Sequence, residues 1–153
     1  MLKSKVGHST NINSFDAGAH SAGRASEGML NPKLGLLFTS CKNDVKEVVK
    51  GAKSVFDAPV IGCTSSGAII TPEGIISGEE GFAGMMVFDD ADMTVGVACH
   101  EGGKDPRAIG RKVAIEAVES AKTTRAPAYF YMIASPKEEE EYLKMLEIVA
   151  KIE

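Results

Sequence analysis

The sequence predicts an α/β fold with a mainly parallel sheet core, antiparallel hairpin strands and about four helices. Three observations carry that expectation. Through about residue 63, short apolar runs alternate with amphipathic stretches in the order β-α-β-α-β, the pattern that builds parallel strands with right-handed crossovers. From residue 68 the rhythm changes to closely spaced apolar runs joined by turn residues, which predicts hairpins. The chain of 153 residues is 44% hydrophobic and 25% charged, and no low-complexity linker divides it. That composition fits one globular domain over residues 1–153.

Each element follows from local chemistry. Lys3–Ser9 reads as a first strand running into the polar stretch Ser9-Thr10-Asn11-Ile12-Asn13. Asn13 or Ser14 can cap a helix to about Met29. Its inward candidates are Phe15, Ala19, Ala22 and Ala25, with Gly18 and Gly23 between them. Glycine inside a helix costs about 1 kcal/mol relative to alanine, so these glycines make sense where the helix packs tightly against a sheet. Leu34–Ser40 is an apolar run closed by hydroxyls, as a strand covered on both faces requires. Asn43 or Asp44 then starts a helix with Val45, Val48, Val49, Ala52, Val55 and Phe56 on one stripe, a spacing that only the 3.6-residue period explains. Pro59–Cys63 is the third strand.

Beyond it, Ala68-Ile69-Ile70 and Gly74–Ser77 flank Thr71-Pro72-Glu73 as a hairpin. Phe82–Phe88 and Met93–Cys99 are expected as an antiparallel pair joined by Asp89-Asp90-Ala91-Asp92. Asp105-Pro106 opens another helix, with aspartate at the N-cap and proline at the first position. Its stripe is Ile109, Val113, Ala117 and Ala121. Ala128–Ala134 is a last strand, and Ser135 with Glu138 makes a capping box. The acidic run Glu138–Glu141 then complements the dipole of a final helix burying Tyr142, Met145, Leu146 and Val149. No glycine closes that helix before Glu153, which fits an artificial boundary and a shortened natural chain equally.

Composition also excludes functions. The net charge of −4 argues against general affinity for nucleic acid, which needs a basic surface to displace counterions. No apolar run approaches the ~18–20 residues needed to span a bilayer, so no membrane partner is expected. The basic start Met1–Lys5 leads into no apolar stretch and reads as no secretory signal. Cys41, Cys63 and Cys99 are an odd, scattered set, as reduced thiols in a cytoplasmic protein would be. His8, His20 and His100 are equally isolated, and no Cys/His pair has zinc spacing, so neither a metal nor another cofactor is expected.

The segment richest in chemical information is Gly62-Cys63-Thr64-Ser65-Ser66-Gly67. Open parallel sheets bind ligands beyond the carboxyl ends of their strands, and this segment follows the third. Glycines let a backbone approach a ligand, while amides and hydroxyls offer donors to an anionic group. Asn11, Thr39 and Ser40 end the neighbouring strands and would line the rim of the same pocket. A tight strand-to-hairpin turn accounts for the same residues without a ligand. The G-x-x-x-x-G spacing is not a nucleotide-hydrolysing P-loop, because Ala68-Ile69 stands where the lysine and hydroxyl residue belong. Cys63 could instead serve as a nucleophile, although no local base accompanies it and a cysteine at a strand end is more often a small buried hydrophobe. His100 precedes the loop Glu101-Gly102-Gly103, and it or His8 would need an apolar pocket and an orienting partner to ligate a metal or haem.

Taken together, Leu36–Ser40, Pro59–Gly67 with its apolar hairpin, Thr94–Ala98 and the helix opened by Asp105-Pro106 resemble, in that order, the N-terminal half of a FIST domain. The resemblance runs from about Val6 to Ser135. It implies a sensory input domain in intracellular signal transduction, recognising a small ligand such as an amino acid or a related metabolite, and not an enzyme. Some relatives are regarded as haem-based nitric-oxide sensors, which bears on His100 and His8. The resemblance also implies a C-terminal half with a second glycine-rich segment and a signalling output protein as partner. Where that half is missing, self-association into a homodimer would cover the exposed surface, and a non-binding assembly role is the remaining alternative.

Overall fold

A computed structural model of the chain describes residues 1–133. Ala134, the capping box at Ser135 and the final helix expected from the sequence lie outside the described residues. The chain divides into two compact units, Met1–Met93 and Thr94–Glu153.

The first unit runs β1 (Lys3–Ser9), α1 (Ser14–Ser26), β2 (Pro32–Ser40), α2 (Val45–Val55), β3 (Val60–Ser65), β4 (Ile69–Thr71), β5 (Gly74–Ile76) and β6 (Ala83–Asp89). Four strands form one sheet in the order β1-β6-β2-β3, and β4 with β5 forms a separate two-stranded sheet. β2 and β3 are parallel, while β6 is antiparallel to both β1 and β2. β1, β2 and β3 therefore point the same way, as the β-α-β-α-β reading expects. The insertion of β6 between β1 and β2 makes the sheet mixed, which corrects the expectation of a mainly parallel core. Three of the expected helices are present among the described residues, and the fourth falls outside them.

β6 can take a central place because it is apolar or glycine at every position but the last, and it is buried or half-buried throughout. Such a strand tolerates cover on both faces and hydrogen bonding along both edges. Asp89, read from the sequence as a turn residue, ends this strand instead, where its buried carboxylate accepts from the Leu30 N–H at 2.7 Å and the Asn31 N–H at 3.1 Å. With both edges of β6 occupied, no edge is left for Met93–Cys99. That segment is not a strand, which corrects the expected antiparallel pair.

Both helices cover one face of the sheet. Ala17, Ala22 and Ala25 of α1 and Val48, Ala52 and Phe56 on and after α2 pack on Leu37, Ala83, Met85 and Val87. Small residues set the spacing. A Cβ on Gly7 of β1 would overlap the Ser21 carbonyl of α1. Between the helices the exclusion is reciprocal: a Cβ on Gly18 would overlap the Val48 carbonyl, and one on Gly51 the Phe15 carbonyl. The glycine of α1 thus serves contact with α2, where the sequence pointed to the sheet. Gly23 faces open space.

Helix starts follow the sequence. The Asn13 side chain accepts from the Asp16 N–H, and the Asp44 side chain accepts from Lys46 and Glu47. Three details differ. β3 continues to Ser65 instead of stopping at Cys63. Phe15 is exposed, and α1 buries Ala17, Gly18 and Ser21 in addition to the expected Ala22 and Ala25. Val45, Val49 and Val55 are exposed although they share the apolar stripe of α2 with buried Val48 and Ala52, because β3 is the last strand on that side of the sheet.

In the second unit, α3 (Pro106–Ser120) starts as predicted, with Asp105 as N-cap accepting from the Ala108 N–H and proline inside the first turn. Residues 94–100 lie along it without forming a ladder. Ser120 Oγ accepts from the Val97 N–H at 2.8 Å and donates to the Val97 carbonyl at 3.0 Å, and a Cβ on Gly96 would overlap the Ala117 carbonyl. The last expected strand is corrected as well, since 128–133 is not a strand and Tyr129 is 94% exposed. No helix among the described residues is long and apolar enough to cross a membrane.

The glycine contacts predict opposite outcomes on one helix. Gly18→Ala should destabilise the fold by about 1–3 kcal/mol, the range for forcing a methyl into a packed contact. Gly23→Ala should stabilise it by roughly 0.5–1 kcal/mol through helix propensity alone. Urea denaturation of the two variants beside the parent measures both signs.

Candidate functional site

The ladders place Ser9, Ala83, Thr39 and Thr64 in one row across the carboxyl ends of β1, β2 and β3. One residue further on, Ser40 pairs with Ser65. The expected convergence of polar strand ends is therefore present for β2 and β3. Between them and β1 stands the amino end of β6, so Ser9 lies two strand spacings, about 10 Å, from Thr39.

Most of the residues expected at the site are held by hydrogen bonds within the chain. Thr39 is buried, its Oγ1 donating to the Phe82 carbonyl at 3.0 Å and accepting from Asn43 Nδ2 at 2.9 Å. Ser40 is buried too, and its Oγ accepts from the Lys42 N–H at 3.2 Å. Ser65 Oγ donates to the Ala68 carbonyl at 2.9 Å, and Asn11 Oδ1 accepts from the Asn13 N–H at 2.8 Å. Gly62 belongs to the ladder of β3 rather than to a loop, and a Cβ there would overlap the Leu37 carbonyl.

What remains open is the short turn after β3. Cys63, Thr64, Ser66 and Gly67 are exposed. Neither Ser66 nor Gly67 has a hydrogen-bond partner for its backbone N–H among the described residues. A Cβ on Gly67 would meet no atom within 4 Å. At the N-terminus of α2, Asp44 Oδ1 takes the N–H groups of Lys46 at 2.9 Å and Glu47 at 3.2 Å, so those two donors are not open to an anion.

The histidines are engaged elsewhere. His8 Nδ1 lies 3.1 Å from Glu73 Oε2, and His100 Nε2 lies 2.7 Å from Glu116 Oε2. Neither pair includes Cys63, and a haem iron approaching His100 through Nε2 would have to displace Glu116. Among the described residues no group of three or more His, Cys, Asp or Glu side chains could hold a metal ion. The resolved charge shifts lie away from the strand ends. A hydrogen bond and the charge of Lys5 hold Glu27 below the usual carboxylate range, and Glu47 raises Lys50 in the same two ways.

The family model of the FIST N domain matches residues 33–152. The chain belongs to the FIST N domain family. FIST domains are generally sensory domains of signalling proteins. No curated protein matches the chain. Among solved structures it is similar to the thiamine monophosphate kinase of Aquifex aeolicus, at 16% identity and a TM-score of 0.33, covering 95% of this chain and 50% of the kinase. A second similarity, to AaThiL complexed with AMPPCP and TMP, has 16% identity and a TM-score of 0.30, covering 99% of this chain and 50% of that one. The chain thus spans half the length of the kinase chains it matches, and scores this low carry no argument about its activity.

In this FIST N domain the residues that organise the strand ends include three that the sequence did not single out for that role. The Phe82 carbonyl accepts from Ser40 N at 2.8 Å, Thr39 Oγ1 at 3.0 Å and Asn43 Nδ2 at 2.9 Å. Gly81 makes room for this arrangement. Its φ of +128° suits glycine, and a Cβ there would collide with Asn43 Oδ1. In the sequence Asn43 stands just before Asp44 and reads as a cap. Only the long-range pairing of β2 with β6 reveals its second use.

Thr39→Val keeps the shape of the side chain and leaves one of the two N–H groups of the buried Asn43 amide without its acceptor. It should cost about 1–3 kcal/mol, as should Asn43→Ala. Cys63→Ser, at an exposed position, should stay within roughly 0.5 kcal/mol. Urea midpoints of the three variants test the ranking.

Proposed function

We propose that this chain is a small-ligand-binding sensory domain whose ligand sits at the turn after β3, against Thr64, Ser66 and Gly67, with Cys63 at its margin. The observation that carries the reading is the pair of unpartnered N–H groups at Ser66 and Gly67, exposed at the carboxyl end of a strand in a sheet with two parallel strands. Backbone donors that the fold does not use are free to take a carboxylate or another acceptor without breaking an internal bond. Thr39, Ser40, Ser65 and Asn11, whose side chains are occupied, hold the strand ends in place around it, and Gly62 keeps β3 close to β2. Membership of a sensory family and a donor-rich turn together favour amino acids and related organic acids as the ligand class. A signalling partner would read the bound state.

A thermal-shift screen against amino acids, organic acids and nucleotides tests this directly. A true ligand at about 100 times its dissociation constant stabilises by ~2.7 kcal/mol. Gly67→Pro removes one of the donors and should abolish the shift, whereas Ser66→Ala keeps both N–H groups and should retain it. Absence of any shifting compound, or a shift that survives Gly67→Pro, would defeat the assignment.

A further inference from the structure

The β4–β5 hairpin follows the candidate turn and pairs only within itself. It is nevertheless attached to the main sheet, and two of its contacts are specific. A Cβ on Gly84 of β6 would overlap the Ile69 side chain, so the missing side chain forms a notch that the Ile69 methyl fills. The Glu73 carboxylate meets His8 Nδ1 of β1 at 3.1 Å. His8 and Gly84 are ladder partners, and Phe38 and Cys63 continue the same row across β2 and β3. Their neighbours in sequence face the helices, as the Gly7 contact with α1 shows. The hairpin therefore leaves β3 and crosses the opposite face of the sheet as far as β1, about 14 Å at the usual strand spacing.

Its own cohesion is slight. Each strand has three residues, and the cross-strand pair Ile70–Ile75 is 86% and 73% exposed. Isolated two-stranded hairpins are marginal in water, so its attachments to the sheet decide where this one lies. Its tip is held in shape. Thr71 Oγ1 donates to the Gly74 carbonyl at 3.1 Å and accepts from the Glu73 N–H at 3.3 Å, which directs the Glu73 carboxylate toward β1. Open space around Gly67 gives the first connection room to turn, while the second is anchored, the Gly81 N–H donating to the Gly78 carbonyl at 3.2 Å and Gly81 packing on Asn43.

We propose that the hairpin is a hinged strap, closed across the row His8–Gly84–Phe38–Cys63 by the His8–Glu73 contact and by Ile69 in the Gly84 notch. Resting on the ligand reading above, it further moves in response to occupancy of the Ser66–Gly67 turn, to which it is directly joined. Among the described residues no other acidic side chain meets His8, and the Arg24 guanidinium donates to the His8 carbonyl at 2.8 Å.

Hydrogen exchange on the full chain tests the strap without any ligand. Glu73→Gln should speed exchange of the Ile69–Ile76 amides about two- to fivefold, the range an exposed ion pair supplies, while β2 and β6 stay unchanged. Gly84→Ala should speed the same amides by at least as much while leaving both His8 and Glu73 in place. Unchanged hairpin exchange in both variants, or acceleration shared equally by β2 and β6, overturns the strap. A compound that raises the melting point yet leaves hairpin exchange unchanged overturns the coupling and leaves the ligand reading standing. Latch variants that behave as described while no compound binds would leave the strap and remove the ligand.

Discussion

β6 lies between β1 and β2 and is hydrogen-bonded along both edges. This placement separates strands that a simple crossover would set side by side, and it leaves β3 at the margin of the sheet. It also brings the Phe82 carbonyl against the end of β2, where Thr39, Ser40 and Asn43 all donate to it. Those bonds fix the level at which the strands end. The turn at Ser66–Gly67 is carried on that fixed edge, next to β2 and projecting beyond it.

The helix layer answers to a different constraint. Gly7, Gly18 and Gly51 each stand where a methyl would meet backbone, so α1 and α2 approach the sheet and each other more closely than larger residues allow. The core between them is correspondingly built of alanine, with Leu37, Val48, Phe56, Met85 and Val87 as its larger members. Cover ends where the sheet ends, and the outer valines of α2 stay in solvent. The far face carries the β4–β5 hairpin, which a glycine notch and the His8–Glu73 contact help to hold.

Local features were legible in the sequence. The alternation of elements up to β3, the caps at Asn13, Asp44 and Asp105, and the hairpin around Thr71-Pro72-Glu73 depend on neighbours a few residues away, and the structure has them. Choice of partner was not legible. Nothing in the apolar run of β6 says that its neighbours will be β1 and β2 instead of the next apolar segment, because alternation specifies a face and leaves the pairing open. The valine stripe of α2 likewise announces an apolar face without saying how much of it the sheet will reach. At the site, Gly62–Gly67 was located correctly as a strand end, yet four of its six residues belong to β3. The role of Asn43 depends on a contact with residue 82 and has no local signature.

A sensor needs a rigid frame and a group that the frame does not consume. In the proposed reading the frame is the row of occupied hydroxyls and amides at the ends of β2 and β3, and the unconsumed groups are two backbone donors on the turn that follows. Titrating amino acids and organic acids into isotopically labelled protein, with amide resonances followed by NMR, addresses that division most directly. The account predicts saturable shifts that are largest at Ser66 and Gly67 and fade along β3 and into the hairpin. Saturable shifts centred instead on the His100–Glu116 pair, with the turn silent, would contradict it.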